Sequence, residues 1–293
     1  MSDLYEAASE WQSVSFVVPS AAGGNTLATT AGQLSGSGAI LATALAETGG
    51  ATLFGSARRD VMRGSAADEI IESGEGNDDV HGGDGNDTIR GSWGNDYLAG
   101  GQGDDSLHGS WGEDTLRGGD GNDILAGSHG CDYLSGDRGD DHIDGGWEND
   151  RLYGRTGNDT IFGGGEDDLL QGNQGHDQLD GGDGNDLLRG GSGNDLLEGS
   201  DGDDLLWGDR GHDTLTGGLG ADTFVFARAP QGHDVITDFE AGTDSLRMAR
   251  ENADFTLEID GFDTVLHYGG DRPSSITLEW THLTEADLAI DWF

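Results

Sequence analysis

From residue 55 onward an apolar residue returns at every ninth position, from Met62, Ile71 and Val80 through Leu188 to Phe224. Two residues before each stands an acid: Asp60, then Glu69, then Asp at every step to Asp222. Gly opens each unit except at Ser73. It also holds fourth place in 15 of the 19 units, with Arg58, Ala67, Glu148 and Glu166 departing. The register runs without insertion from Gly55 to Val225, 171 residues or 19 units of nine. A fixed short period of this kind marks a solenoid.

The pattern predicts an all-β chain: a parallel β-roll, or β-solenoid, of about 19 nonapeptide repeats. The first six residues of each unit read as a Gly-rich turn, with glycines where φ is positive. The last three read as a short strand with its middle side chain inward. Two units then make one coil, and like positions stack every 18 residues, giving a rod roughly 45 Å long at the strand spacing. Acids stacked at that spacing repel by about 1 kcal/mol each even at the dielectric of water. A core of one aliphatic residue per unit is thin. Carboxylate and turn carbonyl oxygens are the ligands that Ca²⁺ prefers. Ions sandwiched between unit n and unit n+2 give 19 − 2 = 17 sites. Each filled site contributes roughly 1.4 to 2.7 kcal/mol at extracellular calcium affinities. Calcium is therefore expected to decide whether the rod folds.

The units "GGDGNDTIR", "GGDGNDILA", "GGDGNDLLR" and "GGSGNDLLE" resemble the G-G-x-G-x-D-x-U-x repeat of the RTX (repeats-in-toxin, hemolysin-type calcium-binding) family. The resemblance covers residues 55–225 and implies Ca²⁺ held by sixth-position carboxylates and turn carbonyls. Carried onto this chain, the metal ligands are Asp78, Asp87, Asp96, Asp105, Asp114, Asp123, Asp132, Asp141, Asp150, Asp159, Asp168, Asp177, Asp186, Asp195, Asp204, Asp213 and Asp222, for up to about 17 ions. The first two units lack the fourth-position Gly and are expected to cap the roll with weak or absent sites. Glu148 and Glu166 make their own two sites doubtful, although a Glu could add a ligand. Beyond the repeats, "GHDVITDFEAGTDSLRM" resembles the closing element of serralysin-type RTX proteins, through Gly232, Asp234, Ile236, Asp238, Phe239, Gly242 and Asp244. It implies a β-sandwich-like cap with room for a further calcium. "DFTLEID", "DTVLHY" and "SSITLEW" read as strands by alternation. The acidic ending "LTEADLAIDWF" resembles an uncleaved type I secretion signal, with an ordinary final strand or helix as the alternative.

Three segments follow: residues 1–54 as an N-terminal cap or small head, 55–225 as the RTX roll, and 226–293 as a C-terminal β-rich cap carrying the secretion signal. Within the first, "WQSVSFVVP" reads as a strand and "GAILATALAETGG" as a short helix.

Charge narrows the partners. The formal net charge is −43, with 57 acids against 14 basic residues. That excludes nucleic acid and disfavours anionic lipid. All basic residues are Arg. With one cysteine, Cys131, no disulfide forms within the chain. The N-terminus lacks the pattern of a cleaved signal peptide, and no apolar run reaches transmembrane length. Calcium-poor cytosol would leave such a chain unfolded for export, and calcium outside would fold it.

No H-E-x-x-H and no G-x-S-x-G motif occurs, and the carboxylate spacing suits ions rather than an acid/base pair. The chain is expected not to be an enzyme. His81, His108, His129, His142, His176 and His212 fall at mixed positions and read as solvated turn or strand residues. Cys131 reads as a tolerated substitution in a turn. Without Lys and without a long apolar domain, the chain is not expected to be a large acylated toxin of the family, while a small pore-forming relative stays open. Two surface features stand out. Trp93, Trp111, His129 and Trp147 share the third position on one side and form a candidate ligand-binding ladder for a glycan or other flat partner. Incidental filling of a variable position is the plainer alternative. Leu169, Leu187 and Leu205, beside Trp207, line up outward and call for a cover by the C-terminal cap or a second molecule.

The sequence thus points to a secreted, extracellular, non-enzymatic calcium-binding roll acting in matrix, adhesion or surface attachment. Its expected partners are calcium ions, the type I secretion machinery and a glycan or surface. The alternatives are a small membrane-active RTX protein and a carrier or stabilising module for a separate enzyme.

Overall fold

The computed structural model describes residues 41–43, 50–226, 232–249, 255–260, 263–268, 274–279, 283–284, 288 and 290–292. Among the described residues two sheets face each other across one narrow core, 13 strands in one and 14 in the other. As far as Ser245–Met248 successive strands alternate between them, so each sheet pairs every second strand, in parallel. Register is fixed at 18 residues through the repeats: Thr88 opposes Ser106, which opposes Ile124. The eighth-position side chains fill the core, and from Met62 to Phe224 none is more than 2% exposed. Among the described residues there is no helix. The β-roll read from the nonapeptide period is the fold.

The strands are longer than that period suggested. From Ile70–Glu75 to Thr214–Leu219 each spans six residues, as in Thr88–Trp93 and Tyr97–Gln102, and crosses from one unit into the next. Ladder pairing covers positions 7, 8 and 9, skips position 1, and resumes at positions 2 and 3. The turn is therefore confined to positions 4 to 6. Positive φ falls at positions 2 and 4, for example Gly83 at 122° and Gly85 at 106°. The kink at position 2 turns the side chain of position 3 outward. The glycine of position 1 has another task, described below.

The roll outruns the repeats at both ends. Thr52–Ser56 pairs with Ile70–Glu75, and Leu41–Thr43 pairs with Val61–Arg63. The latter corrects the helix expected over 38–50 at residues 41–43, which pair as a strand at the sheet end; residues 38–40 and 44–49 lie outside the described residues. The strand expected at "WQSVSFVVP" lies outside the described residues. After Val225 the described strands still belong to the roll. His233–Ile236, Ser245–Met248, Ser274–Leu278 and Ile290–Trp292 continue the two sheets in parallel. A hairpin of Phe255–Asp260 and Asp263–Tyr268 then adds antiparallel to Ser274–Leu278. The final described strand, within "LTEADLAIDWF", thus pairs with Ser245–Met248.

Leu169, Leu187 and Leu205 stand in register on neighbouring coils. They are half-buried, as is Trp207, neither fully exposed nor sealed. The cores of neighbouring coils are thin and shared, so a single truncation is felt. Leu152→Ala is expected to destabilise the calcium-loaded protein by roughly 2–5 kcal/mol. Thr160→Ala on the outer face should stay within about 0.5 kcal/mol. Thermal melts in calcium compare the two, and equal midpoints would contradict the packing described.

Candidate metal-binding carboxylate stack

The sixth-position acids are buried like the core aliphatics, none above 4% exposed from Asp60 to Asp222. Each reaches back one coil. Oδ1 of Asp96 accepts the Asp78 N–H at 2.8 Å, and Oδ1 of Asp114 accepts the Asp96 N–H at 2.8 Å. The same bond repeats along both turn columns to Asp222. Oδ2 is different. In 16 consecutive acids, Asp78 to Asp213, that oxygen is buried and has no hydrogen-bond partner. A buried, unpaired carboxylate oxygen is costly, and so many in register require an explanation.

From Asp87 on, the first-position glycine makes room for the free oxygen; beside Asp78 that place is Ser73. A methyl group at Gly82 would lie 2.2 Å from Asp87 Oδ2 and 2.7 Å from the Gly100 carbonyl oxygen of the next coil. Gly127, Gly145 and Gly181 show the same pair of neighbours. A carboxylate oxygen and a carbonyl oxygen thus converge where any side chain would intrude. An all-oxygen cradle with net negative charge fits a hard divalent cation such as Ca²⁺. Among the described residues no three His, Cys, Asp or Glu side chains gather as one cluster. Each cradle thus rests on no more than two such side chains, supplemented by backbone oxygens.

The ends of the stack differ. Asp60 Oδ2 accepts from Ser56 N–H at 2.6 Å, and Glu69 accepts from Ser65 N–H at 2.8 Å and from its hydroxyl at 2.7 Å. The second-position serines thus occupy the oxygens that stay free further on. At the other end the ladder passes beyond the repeats. Asp234 Oδ1 accepts the Asp213 N–H, and Asp244 Oδ1 accepts the Asp222 N–H, each at 3.1 Å. Their signal was present in the sequence: Gly232-x-Asp234-x-Ile236 and Gly242-x-Asp244-x-Leu246 repeat positions 4 to 8 of the unit. Inserted residues lengthen the step to 21 or 22 and hide the period. Asp238 closes the end by accepting from the Gly217 and Gly218 N–H groups.

A second ladder runs outside the first and escaped the sequence reading. The fifth-position side chain accepts the N–H of the fifth residue one coil on: Asn86 Oδ1 from Asp104, Asp104 Oδ1 from Asn122. His176 joins through Nδ1, 2.7 Å from the Asn194 nitrogen, and His212 through Nδ1, 3.2 Å from that of His233. These histidines are acceptors in the ladder rather than merely solvated. Asn, Asp and His share that position because each carries an acceptor at the same reach. Cys131 is exposed and free. Glu148 and Glu166 lie on the outer rim, where their carboxylates accept the N–H groups of Gly130 and Glu148 at 3.0 and 2.9 Å. The inner oxygens of Asp150 and Asp168 beside them stay unpaired.

The aromatic ladder is real as an arrangement. Trp93, Trp111, His129 and Trp147 are in register on successive coils. Trp93 and Trp111 are parallel at 5.1 Å between ring centroids, and Trp111 and His129 stack at 4.1 Å. The three tryptophans are 57, 47 and 58% exposed, so the row is a surface and not a core.

Burial raises the inner acids far above the usual carboxylate value. Loss of hydration is the largest cause, and neighbouring acids add repulsion. Asp105 is pushed up to about 7, and Asp141 and Asp150 to about 8. Asp123 and Asp177 rise to about 6. An acid raised in this way favours the folded state when protonated. Its contribution is complete below the unfolded value of about 3.9. It is lost as pH rises through about 6 to 8. Calcium-free protein is therefore expected to gain β signal on acidification from pH 8 to pH 5. The calcium requirement should rise over the same range, because proton and metal compete for one oxygen. Circular dichroism of metal-free protein checks the first, and a β signal that falls with acidification would contradict it.

The model of the RTX calcium-binding nonapeptide repeat matches in overlapping stretches from residue 46 to residue 224. The solution structure of the AlgE6R3 subunit from the Azotobacter vinelandii mannuronan C5-epimerase is 31% identical. That match covers 43% of this chain and 78% of that one, with a TM-score of 0.26. The crystal structure of extracellular lipase LipA from Serratia marcescens is 17% identical over 84% of this chain and 40% of that one, with a TM-score of 0.25. Comparison with curated proteins gave no match.

Proposed function

The chain belongs to the family of RTX calcium-binding nonapeptide repeat proteins, and from that premise we propose that it is a secreted β-roll that folds on calcium outside the cell and serves extracellular attachment. The repeats bind Ca²⁺ in their turns. The observation that carries the conditional fold is the run of 16 buried carboxylate oxygens without a donor. When bound, a hard divalent cation supplies the positive charge that these oxygens lack. The Asp Oδ1 atoms keep the turns in register through the backbone N–H groups they accept. The first-position glycines keep the space beside Oδ2 open. The ligand set proposed is Asp78 to Asp213, with Asp222 closing the row.

Export in the unfolded state through the type I route fits this chemistry, since micromolar cytosolic calcium lies far below the affinity of extracellular modules. The role is non-catalytic: the buried acids are committed to the stack, and the conspicuous outer feature is an aromatic row. Among the described residues no helix is long and apolar enough to cross a membrane.

Equilibrium dialysis in millimolar calcium, followed by metal analysis, tests the reading. On the order of ten or more ions per chain are expected, with midpoints in the 0.1–1 mM range. The pair Asp141→Asn and Asp159→Asn should lower the count and raise the calcium needed for folding. Retention of fewer than about four ions, a number that one ordinary surface cluster could supply, would contradict the stack as the binding site.

A further inference from the structure

Ten non-glycine residues among those described hold a left-handed backbone, where L side chains are strained. Seven have a side-chain bond that accounts for them. Asp137 is held by Arg117, Asp209 by Arg189, and Ser200 by Asp180. Arg155 is held by Tyr133 and Ser135. Asn173, Glu148 and Glu166 bond backbone groups. The other three are Ser92, Ser110 and Ser128, at φ 86°, 89° and 87°. Among the described residues their hydroxyls have no hydrogen-bond partner. Glycine would sit there without strain, as it does at Gly83, Gly101 and Gly119 on the opposite side.

These three serines are consecutive in register. Each immediately precedes a member of the aromatic row: Trp93, Trp111 or His129. The two rows lie side by side, one of unpartnered hydroxyls and one of exposed rings. Their positions carry no formal charge from Ser92 to Trp147, on a chain of net charge −43. A polyanion would be repelled by the rest of the surface, and a cation would be drawn to the acids. A neutral partner that offers both apolar faces and hydroxyls fits the strip.

We propose that the face formed by Ser92, Ser110, Ser128, Trp93, Trp111 and Trp147 binds a neutral polysaccharide chain lying along the rod. Sugar rings carry C–H groups on their faces and hydroxyls at their rims. Trp93 and Trp111 stack face to face, as do Trp111 and His129, so the sugar C–H groups pack against the outward ring edges of the row, and the hydroxyls exchange hydrogen bonds with the serines. Contacts recur once per coil, at about 4.8 Å, comparable to the rise of one sugar ring in an extended chain. A repeating polymer therefore gains at every coil. The inference rests on the calcium-folded roll and names the partner class of its extracellular role.

The test uses the full calcium-loaded chain in affinity electrophoresis, with gels containing hydroxyethylcellulose or a soluble neutral β-glucan. A polyuronate gel and phosphatidylcholine vesicles are run beside them. The parent is expected to be retarded by at least one neutral polymer. The triple variant Trp93→Ala, Trp111→Ala, Trp147→Ala should weaken binding by about tenfold or more. The triple variant Ser92→Gly, Ser110→Gly, Ser128→Gly should also bind less tightly, while its thermal midpoint holds or rises as strain is relieved. A purely structural serine row would lower the midpoint and leave binding alone. No retardation of the parent by either neutral polymer, parent-like binding by either variant, or retention by vesicles alone would overturn the inference. Circular dichroism of the same samples reports folding. Absent binding by protein that folds with calcium therefore counts against this face and not against the calcium-dependent roll.

Discussion

One carboxylate oxygen per unit, buried and without a donor, governs the rest of this structure. The backbone of each turn is built to hold it. Oδ1 of the same acid is tied to the previous coil, the glycine of position 1 clears its space, and the position-4 turn brings the acid inward. Sixteen such oxygens in two columns cannot all be charged, dry and unpaired in a stable fold. Proton or cation must answer them. The raised acid pKa values express the first answer, and the all-oxygen cradles suit the second.

The hydrophobic contribution is uniform but narrow. Two facing aliphatic rows, one from each sheet, make up the whole core of the repeats, so each coil depends on its two neighbours more than on a common centre. The outer ladder of position 5 spreads that dependence over the surface. Folding of such a rod propagates between adjacent coils. Neutralising one turn therefore helps the next, and the response to the neutralising species is expected to be cooperative along the chain.

Much of this was legible from spacing. The buried rows at positions 6 and 8 are what a period of nine with fixed acid and aliphatic places demands. The first orphaned oxygen appears at Asp78, the first unit with both the sixth-position Asp and the fourth-position Gly. Strand length was not legible, because glycine at position 1 looks like turn and serves as extended strand; its space, and not its φ, is what matters. The extra coils at Asp234 and Asp244 were masked by insertions that preserve each five-residue core but break the count. The segment at Leu41–Thr43 carried an apolar run equally suited to helix or strand, and pairing with Val61–Arg63 decided it. The aromatic row could be placed from register. The uncompensated serines beside it could not, since left-handed φ at Ser92 is visible in no sequence pattern.

The central claim is that the free oxygens make folding conditional on a cation. Far-UV circular dichroism at neutral pH, during a calcium titration that begins from EGTA-treated protein, tests it most directly. A cooperative coil-to-β transition between about 0.1 and 10 mM calcium is the predicted result. Full β signal in EGTA, with no calcium retained by the protein, would contradict it.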